Sequence, residues 1–283
     1  MIDYNKFYDT SVKFLVDYAS TNNLQSYVLG ISGGIDSTVV AAIASDACKK
    51  AQIPLIGRCL ATPSNLKEEI EAADLVGKAF CTDYKLLNIN HRVNIIKVFI
   101  EAIEEKMTNL QFGNIKARFR MMYLYHVASM HKGCVLDTDN KTEHELGFWT
   151  IHGDVGDVNC GLIHLWKTEV YELANFILEK YSNTSTEYDA LLKSMKLTPT
   201  DGNGVSKNDC EQFGLDNYEQ VDDVLKTMYY PDGKPDRDKN MEYVRLIDSY
   251  NEQGVDRVML LHQGSEFKRK HLPVYPSENT III

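Results

Sequence analysis

No apolar run in this chain of 283 residues approaches the roughly 20 residues a helix needs to cross a bilayer. A secretory leader is missing too, since Met1 to Tyr8 is mixed and polar. There is no Cys-x-x-Cys pair. The six cysteines (Cys48, Cys59, Cys81, Cys134, Cys160, Cys210) stand far apart, several in apolar stretches. They read as buried free thiols of a reducing compartment, not as a disulfide or zinc framework. An excess of positive charge is also lacking: the net charge is −10 and the pI about 5.3. Such a chain has no general pull toward nucleic acid or an anionic membrane. No internal repeat or low-complexity tract occurs. Two common nucleotide-binding strings, Gly-x-x-x-x-Gly-Lys-Ser/Thr and Gly-x-Gly-x-x-Gly, are absent. A cytoplasmic globular protein with neither membrane nor nucleic-acid partner is the expectation these absences leave.

With 44% hydrophobic residues, the chain can form one large α/β domain or two small ones. Helical spacing runs over Phe7–Ser20, Val39–Lys50, Lys67–Phe80, Arg92–Met107, Ile115–His131 and Thr168–Tyr181. Short apolar runs between them predict strands at Tyr27–Ile31, Pro54–Leu60, Asp83–Ile89 and Gly133–Leu136. Strands alternating with helices predict an α/β fold, a parallel β-sheet with helices on both faces. The chain is read as a single unit, 1–283, with a sheet core over about 25–180 and a lid loop and C-terminal helices over about 195–283. Residues 182–197 and 230–240 read as extra surface. Leu197–Asn208 has too many breakers for an element and reads as a lid. Tyr218–Met228 and Met241–Gln253 have helical spacing.

The most informative string is Leu29-Gly30-Ile31-Ser32-Gly33-Gly34-Ile35-Asp36-Ser37-Thr38. Strand, Ser-Gly-Gly and helix start together make a phosphate cradle. The glycines take backbone angles closed to other residues, and the helix turn offers free N–H groups at its positive end. In open parallel sheets such a strand end is where ligands sit. Asp36 reads either as a functional carboxylate or as a helix cap. Further along, Lys116, Arg118 and Arg120 place three cations in five residues of an acidic chain, with Lys116 and Arg120 on one helix face and Arg118 elsewhere. They read as an anion site or as a solvated basic face. Phe148 and Trp149 read as core, or one of them as a platform for an aromatic ring.

Ser32-Gly-Gly-Ile-Asp-Ser37, Asn114-Ile-Lys-Ala-Arg-Phe-Arg-Met121, Thr138-Asp-Asn-Lys-Thr-Glu143, Gly147-Phe-Trp-Thr150, Gly153-Asp154 and Leu165-Trp-Lys-Thr168 follow one another in that order. The first resembles the loop of the ATP pyrophosphatases, and the ordered set resembles the ammonia-dependent NAD synthetases. The match is good over roughly 27–170 and weaker at 198–225 and 265–276. It implies an adenine nucleotide α-hydrolase-like, Rossmann-like fold and a two-step amidation. The carboxylate of deamido-NAD attacks the α-phosphate of ATP, pyrophosphate leaves, and ammonia displaces AMP from the acyl-adenylate.

Roles follow from the resemblance. Ser32, Asp36 and Lys167 are the implied catalytic residues. Gly30, Ser32, Gly33, Gly34, Asp36, Ser37, Arg58, Thr138, Lys167 and Thr200 are implied for ATP. Asn114, Arg118, Phe148, Asp154 and Asp157 are implied for deamido-NAD. Asp36 and Glu143 are implied for Mg²⁺, the cofactor. The implied partners are ATP, deamido-NAD, ammonia and a second copy of the chain, for which Phe7–Ser20 and Arg92–His131 supply apolar faces. The roughly 26 residues before the first strand leave no room for a glutamine-hydrolysing domain, so free ammonia, or ammonia from a separate protein, is expected. Two departures stand out. The family continues Gly-Asp with Gly-Gly-x-Asp, but Val158 occupies the place of the second Asp and Asp157 comes one place early. Phe267 stands where His often precedes Lys-Arg. The rival readings are another ATP pyrophosphatase, such as a tRNA-thiolating or tRNA-lysidine enzyme or a GMP synthetase core, and a nucleotide-binding relative without catalysis. The acidic charge counts against a tRNA substrate.

Overall fold

The computed structural model describes residues 2–200, 208–230, 239–270 and 273–277. The chain opens with α1 (Tyr4–Thr21), β1 (Ser26–Gly30), α2 (Ile35–Ala51), β2 (Leu55–Ala61), α3 (Lys67–Phe80) and β3 (Asp83–Asn88). It continues through α4 (Asn90–Glu101), α5 (Asn109–Met130), β4 (Gly133–Asp137), α6 (Lys141–Leu146), β5 (Val158–Asn159) and α7 (Lys167–Leu178). The described C-terminal part adds α8 (Thr186–Met195), α9 (Asp209–Phe213), α10 (Tyr218–Tyr229), α11 (Lys239–Ser249) and α12 (Glu252–Gly264).

The sheet order is β3-β2-β1-β4-β5, and every pairing is parallel. Alternation along the strands divides the core. Tyr27, Leu29 and Leu55 pack with α1, α2, α3, α7 and α8. Val28, Ile56 and Val135 face the other way, onto α4 and α5. Both faces are thus covered, as the strand–helix alternation predicts. A third apolar cluster gathers Phe213, Val221, Leu225, Leu246 and Val255 of the C-terminal helices around Leu146 and Trp166. The strand β1 pairs with β2 on one side and β4 on the other, so the order reverses between β1 and β4. A crevice opens outside the carboxyl ends of strands at such a switch point. The loops after Gly30 and after Asp137 both end there.

Several elements differ from the sequence reading. The strand β5 has only two residues, Val158 and Asn159, too short to leave a pattern, and Val274 extends that edge by a parallel bridge. The helix α5 begins at Asn109 because Thr108 and Gln111 form a capping box, so α4 stops at Glu101 and not at Met107. Residues 182–197 are not mere extra surface. Ser185 caps α8, and Ala190 and Leu191 are fully buried against the core. Helical spacing over 241–253 hides a break: Asn251 accepts from Gly254 N–H at 2.7 Å and starts α12. The apolar face of α1 is not free for a partner, since Phe7, Val12 and Leu15 are core. Seven residues of the expected lid (201–207) and most of the 230–240 excursion lie outside the described residues.

Candidate active site

The Ser-Gly-Gly loop is a closed hydrogen-bonded unit. Ser32 Oγ and Ser37 Oγ lie 2.9 Å apart, Gly34 N–H donates to Ser32 Oγ at 3.2 Å, and Ser37 Oγ donates to the Gly34 carbonyl at 3.1 Å. Gly33 has φ +89°, and a Cβ there would stand 2.3 Å from the Glu69 carbonyl oxygen. Both the backbone angle and the close approach of α3 therefore require glycine. Gly34 occupies the N-cap of α2, so Asp36 lies inside the first turn and is not its cap.

Four side chains meet at the carboxyl end of β1 and β4. Lys167, at the start of α7 and 2% exposed, bonds both Asp36 Oδ2 and Glu143 Oε1, the second at 3.2 Å. Asn140 Nδ2 donates to Asp36 Oδ1 at 2.9 Å. The Lys167 ammonium also stands 5.2 Å from the centre of the Tyr218 ring, whose hydroxyl donates to Asp209 at 2.9 Å. Burial alone would lower the lysine, but the Asp36 and Glu143 carboxylates outweigh it and hold its pKa well above the usual value. Burial pushes Glu143 up to about 8, with Lys167 opposing and Asp36 adding. Among the described residues there is no group of three or more His, Cys, Asp or Glu able to hold a metal. The two carboxylates on one ammonium do suit a hard divalent ion that takes its other ligands from phosphates and water.

Asp36, Glu143, Lys167 and Asp209 line a cavity of about 560 Å³ that continues from the loop to the Gly147–Asp154 connection. Gly30, Ser32, Gly34, Asp36, Ser37, Arg58, Thr138, Glu143, Lys167 and Thr200 line it, as do Asn114, Phe148 and Asp154. Gly33 does not; its backbone is turned onto α3. Arg58 is buried, with its guanidinium bonded to Asp83 at 2.7 Å and to the Gly57 carbonyl at 2.8 Å. Thr200 reaches Glu69, whose other carboxylate oxygen accepts from Leu66 N–H at 3.0 Å. Phe148 packs edge-on against Phe213 at 4.8 Å.

Arg118 and Asp157 lie off the cavity. Arg118 Nε donates to the Ile151 carbonyl at 3.2 Å on the exposed side of α5. Asp157 accepts from Tyr125 OH at 2.9 Å and from Val135 N–H at 3.0 Å. Besides Arg58 and Lys167, the cations lining the cavity are Arg120, Arg257 and Lys268. Arg120 donates to the Leu60 carbonyl at 3.1 Å and to Asn65 Oδ1 at 3.3 Å. Lys268 donates to the carbonyls of Gly147, at 2.6 Å, and of Trp149. Burial lowers its pKa. Arg120 was legible as the helical neighbour of Lys116. Asp209 and Tyr218 carried no local signal for this site; Asn140 stands in the Thr138–Glu143 string and Lys268 in the tail after Phe267, but neither was assigned a role.

The family profile described as NAD synthase matches residues 7–272. The NH(3)-dependent NAD(+) synthetase of Pyrococcus furiosus is 30% identical over 278 residues, 98% of this chain and 97% of the relative. The chain belongs to the NAD synthase family. The protein of the same name from Pyrococcus horikoshii is 30% identical over 277 residues, 98% of this chain and 97% of that relative. Among solved structures, NMN synthetase from Francisella tularensis superposes with a TM-score of 0.75 at 24% identity, covering 98% of this chain and all of that one. The NH3-dependent NAD synthetase of Campylobacter jejuni superposes with a TM-score of 0.67 at 22% identity, with 98% and 100% covered. The shared fold is the adenine nucleotide α-hydrolase-like one.

Both departures from the NAD synthase pattern have a structural account. Val158 is fully buried in β5, paired with Leu136 and bridged to Val274. A carboxylate in its place would be buried in the sheet edge. Asp157 uses both carboxylate oxygens on Tyr125 and Val135, so neither residue offers a charge to the cavity. Phe267 is 57% exposed, and among the described residues of the tail Lys268 lines the cavity.

Proposed function

We propose that this chain amidates deamido-NAD with ammonia, driven by cleavage of ATP to AMP and pyrophosphate. A carboxylate does not accept ammonia, because oxide is a poor leaving group; AMP on the acyl carbon is a good one. The single observation that carries the reading is the meeting of Ser32, Ser37, Asp36, Glu143 and Lys167 in one cavity at the switch point of the sheet. Ser32, Gly34 and Ser37 cradle the departing phosphates, with Gly30 and Gly33 shaping the loop. Thr138, Thr200 and Arg58 flank the nucleotide. Asp36 and Glu143 are the residues that would hold Mg²⁺, which when bound neutralises phosphate charge. Lys167 brings a fixed positive charge to the same oxygens. Transfer of an adenylyl group needs this alignment and charge more than a covalent nucleophile. Asn114, Phe148 and Asp154 receive the acid substrate at the other end, and Arg118 and Asp157 join only through contacts from outside this cavity. The six cysteines are free, as suits a reducing cytoplasm.

A second copy of the chain is the proposed partner. Val98, Phe99 and Ile103 on and after α4 are each about two-thirds exposed, an apolar strip beside α5. Sedimentation should give a dimer, and Phe99→Glu should shift it to monomer.

The test of the reaction is AMP and NAD formation from ATP, deamido-NAD and an ammonium salt. No AMP under these conditions would remove the proposal. Nicotinic acid mononucleotide, xanthosine monophosphate and tRNA serve as comparison acids and acceptors. A strong preference for the mononucleotide would keep the chemistry and change the substrate.

A further inference from the structure

We infer that Asn140 is a positioning residue that sets how Asp36 and Glu143 present their oxygens to the cation and phosphates; the inference rests on the reading of those two carboxylates as the metal-holding pair. Asn140 is fully buried between the first turn of α2 and the first turn of α6. Its side-chain Oδ1 accepts from Glu143 N–H at 3.0 Å, and its backbone N–H donates to Glu143 Oε2 at 3.3 Å. Its amide Nδ2 donates to Asp36 Oδ1 at 2.9 Å, across 104 residues of sequence. One residue thus touches both carboxylates, Asp36 through its side-chain amide and Glu143 through its backbone N–H.

The contacts divide the four carboxylate oxygens between two kinds of donor. Asn140 takes Asp36 Oδ1 and Glu143 Oε2; Lys167 takes Asp36 Oδ2 and Glu143 Oε1. The oxygens on the Lys167 side are the pair that already converges on one positive charge. The amide is neutral, so it stays compatible with a cation on the far oxygens. The amide holds Oδ1 and fixes the rotation of Asp36, while the backbone N–H of the same residue holds Oε2 of Glu143, so that Oδ2 and Oε1 stay turned toward the same point. Hydrogen bonds to ligating carboxylates are worth about ten- to a hundredfold in metal affinity in general.

Capping α6 accounts for only part of this arrangement. The cap needs an acceptor at residue 140, and serine or threonine supplies one as well as asparagine does. Only the bond to Asp36 requires the amide N–H. Asn140→Ser therefore separates the two roles, keeping the cap and losing the donor.

The experiment compares wild type and Asn140→Ser, each as the full chain. It measures Mn²⁺ binding in the presence of α,β-methylene-ATP, thermal melting, and the Mg²⁺ dependence of turnover. A roughly ten- to hundredfold weaker Mn²⁺ affinity and a matching rise in the Mg²⁺ requirement, with melting nearly unchanged, are expected. Wild-type Mn²⁺ affinity in Asn140→Ser overturns the inference while leaving the metal-holding role of Asp36 and Glu143 intact. Failure of the wild type itself to bind Mn²⁺ with the analogue overturns that role, and the inference with it. Should the serine variant not fold, Asn140→Thr provides the same comparison with another capping residue.

Discussion

The two ends of the cavity are built differently. At the phosphate end the loop from Ser32 to Ser37 bonds mostly to itself, and the partners added from elsewhere, Asn140, Glu143 and Lys167, each start or precede a helix at the same sheet edge. At the far end the surface is put together from distant pieces. Arg120 reaches from α5 to β2, and Lys268 reaches from near the C-terminus to Gly147, 121 residues away. Geometry at the first end follows from a short string, whereas geometry at the second depends on how helices pack over the sheet. Substitutions should therefore act on chemistry at one end and on substrate binding at the other.

The largest effect should come from Asp36→Asn, with turnover falling at least about a hundredfold through loss of charge at the metal-holding pair. Steady-state kinetics at saturating substrates measures this, and an unchanged rate would erase the contrast between the ends. Next is Glu145→Gln, where α6 meets His262 of α12 and Arg269. Burial would raise the Glu145 carboxyl, but contacts with His144, His262 and Tyr230 outweigh it and hold its pKa well below the usual range. A depressed carboxyl contributes stability above its unfolded value of about 4.5 and loses it as the pH falls further. The variant should be less stable by about 2 kcal/mol at pH 7, and the gap should narrow toward pH 3 in denaturant titrations.

Arg120→Ala should raise the KM for deamido-NAD or ATP about tenfold with little change in kcat, as expected for a lost hydrogen-bonded charge. Arg118→Ala should do less. Equal effects of the two would mean that a second copy of the chain brings Arg118 to the substrate, and would sharpen the comparison toward a shared far end. The smallest effect belongs to Lys268→Met, a severalfold rise in the KM for deamido-NAD with the Mg²⁺ dependence unaltered. A change in the Mg²⁺ dependence would show that the ends are coupled through the Gly147–Trp149 backbone.

Much of this was legible in the sequence because the signals are local. The period of the apolar residues gave α3 its full span and gave β1, β2, β3 and β4 to within about a residue at each end. The glycine string placed the loop at the end of β1. The sequence showed less where a short element or a single cap decided the outcome. Two residues of β5 carry no periodicity, the Thr108–Gln111 capping box moves the start of α5, and the Asn251 cap divides α11 from α12.

By itself, then, the amino-acid order determined the parallel α/β class, the strand that bears the phosphate loop, and the residue types needed there. Each of these is written within a few residues of chain by backbone preference and apolar spacing. The tertiary structure alone decided that Asn140 holds Asp36, that Lys167 joins Asp36 to Glu143, and that Arg120 and Lys268 face the cavity while Arg118 and Asp157 do not. Those facts depend on the direction of a side chain after helices a hundred residues apart have packed. Only the closed fold fixes that direction.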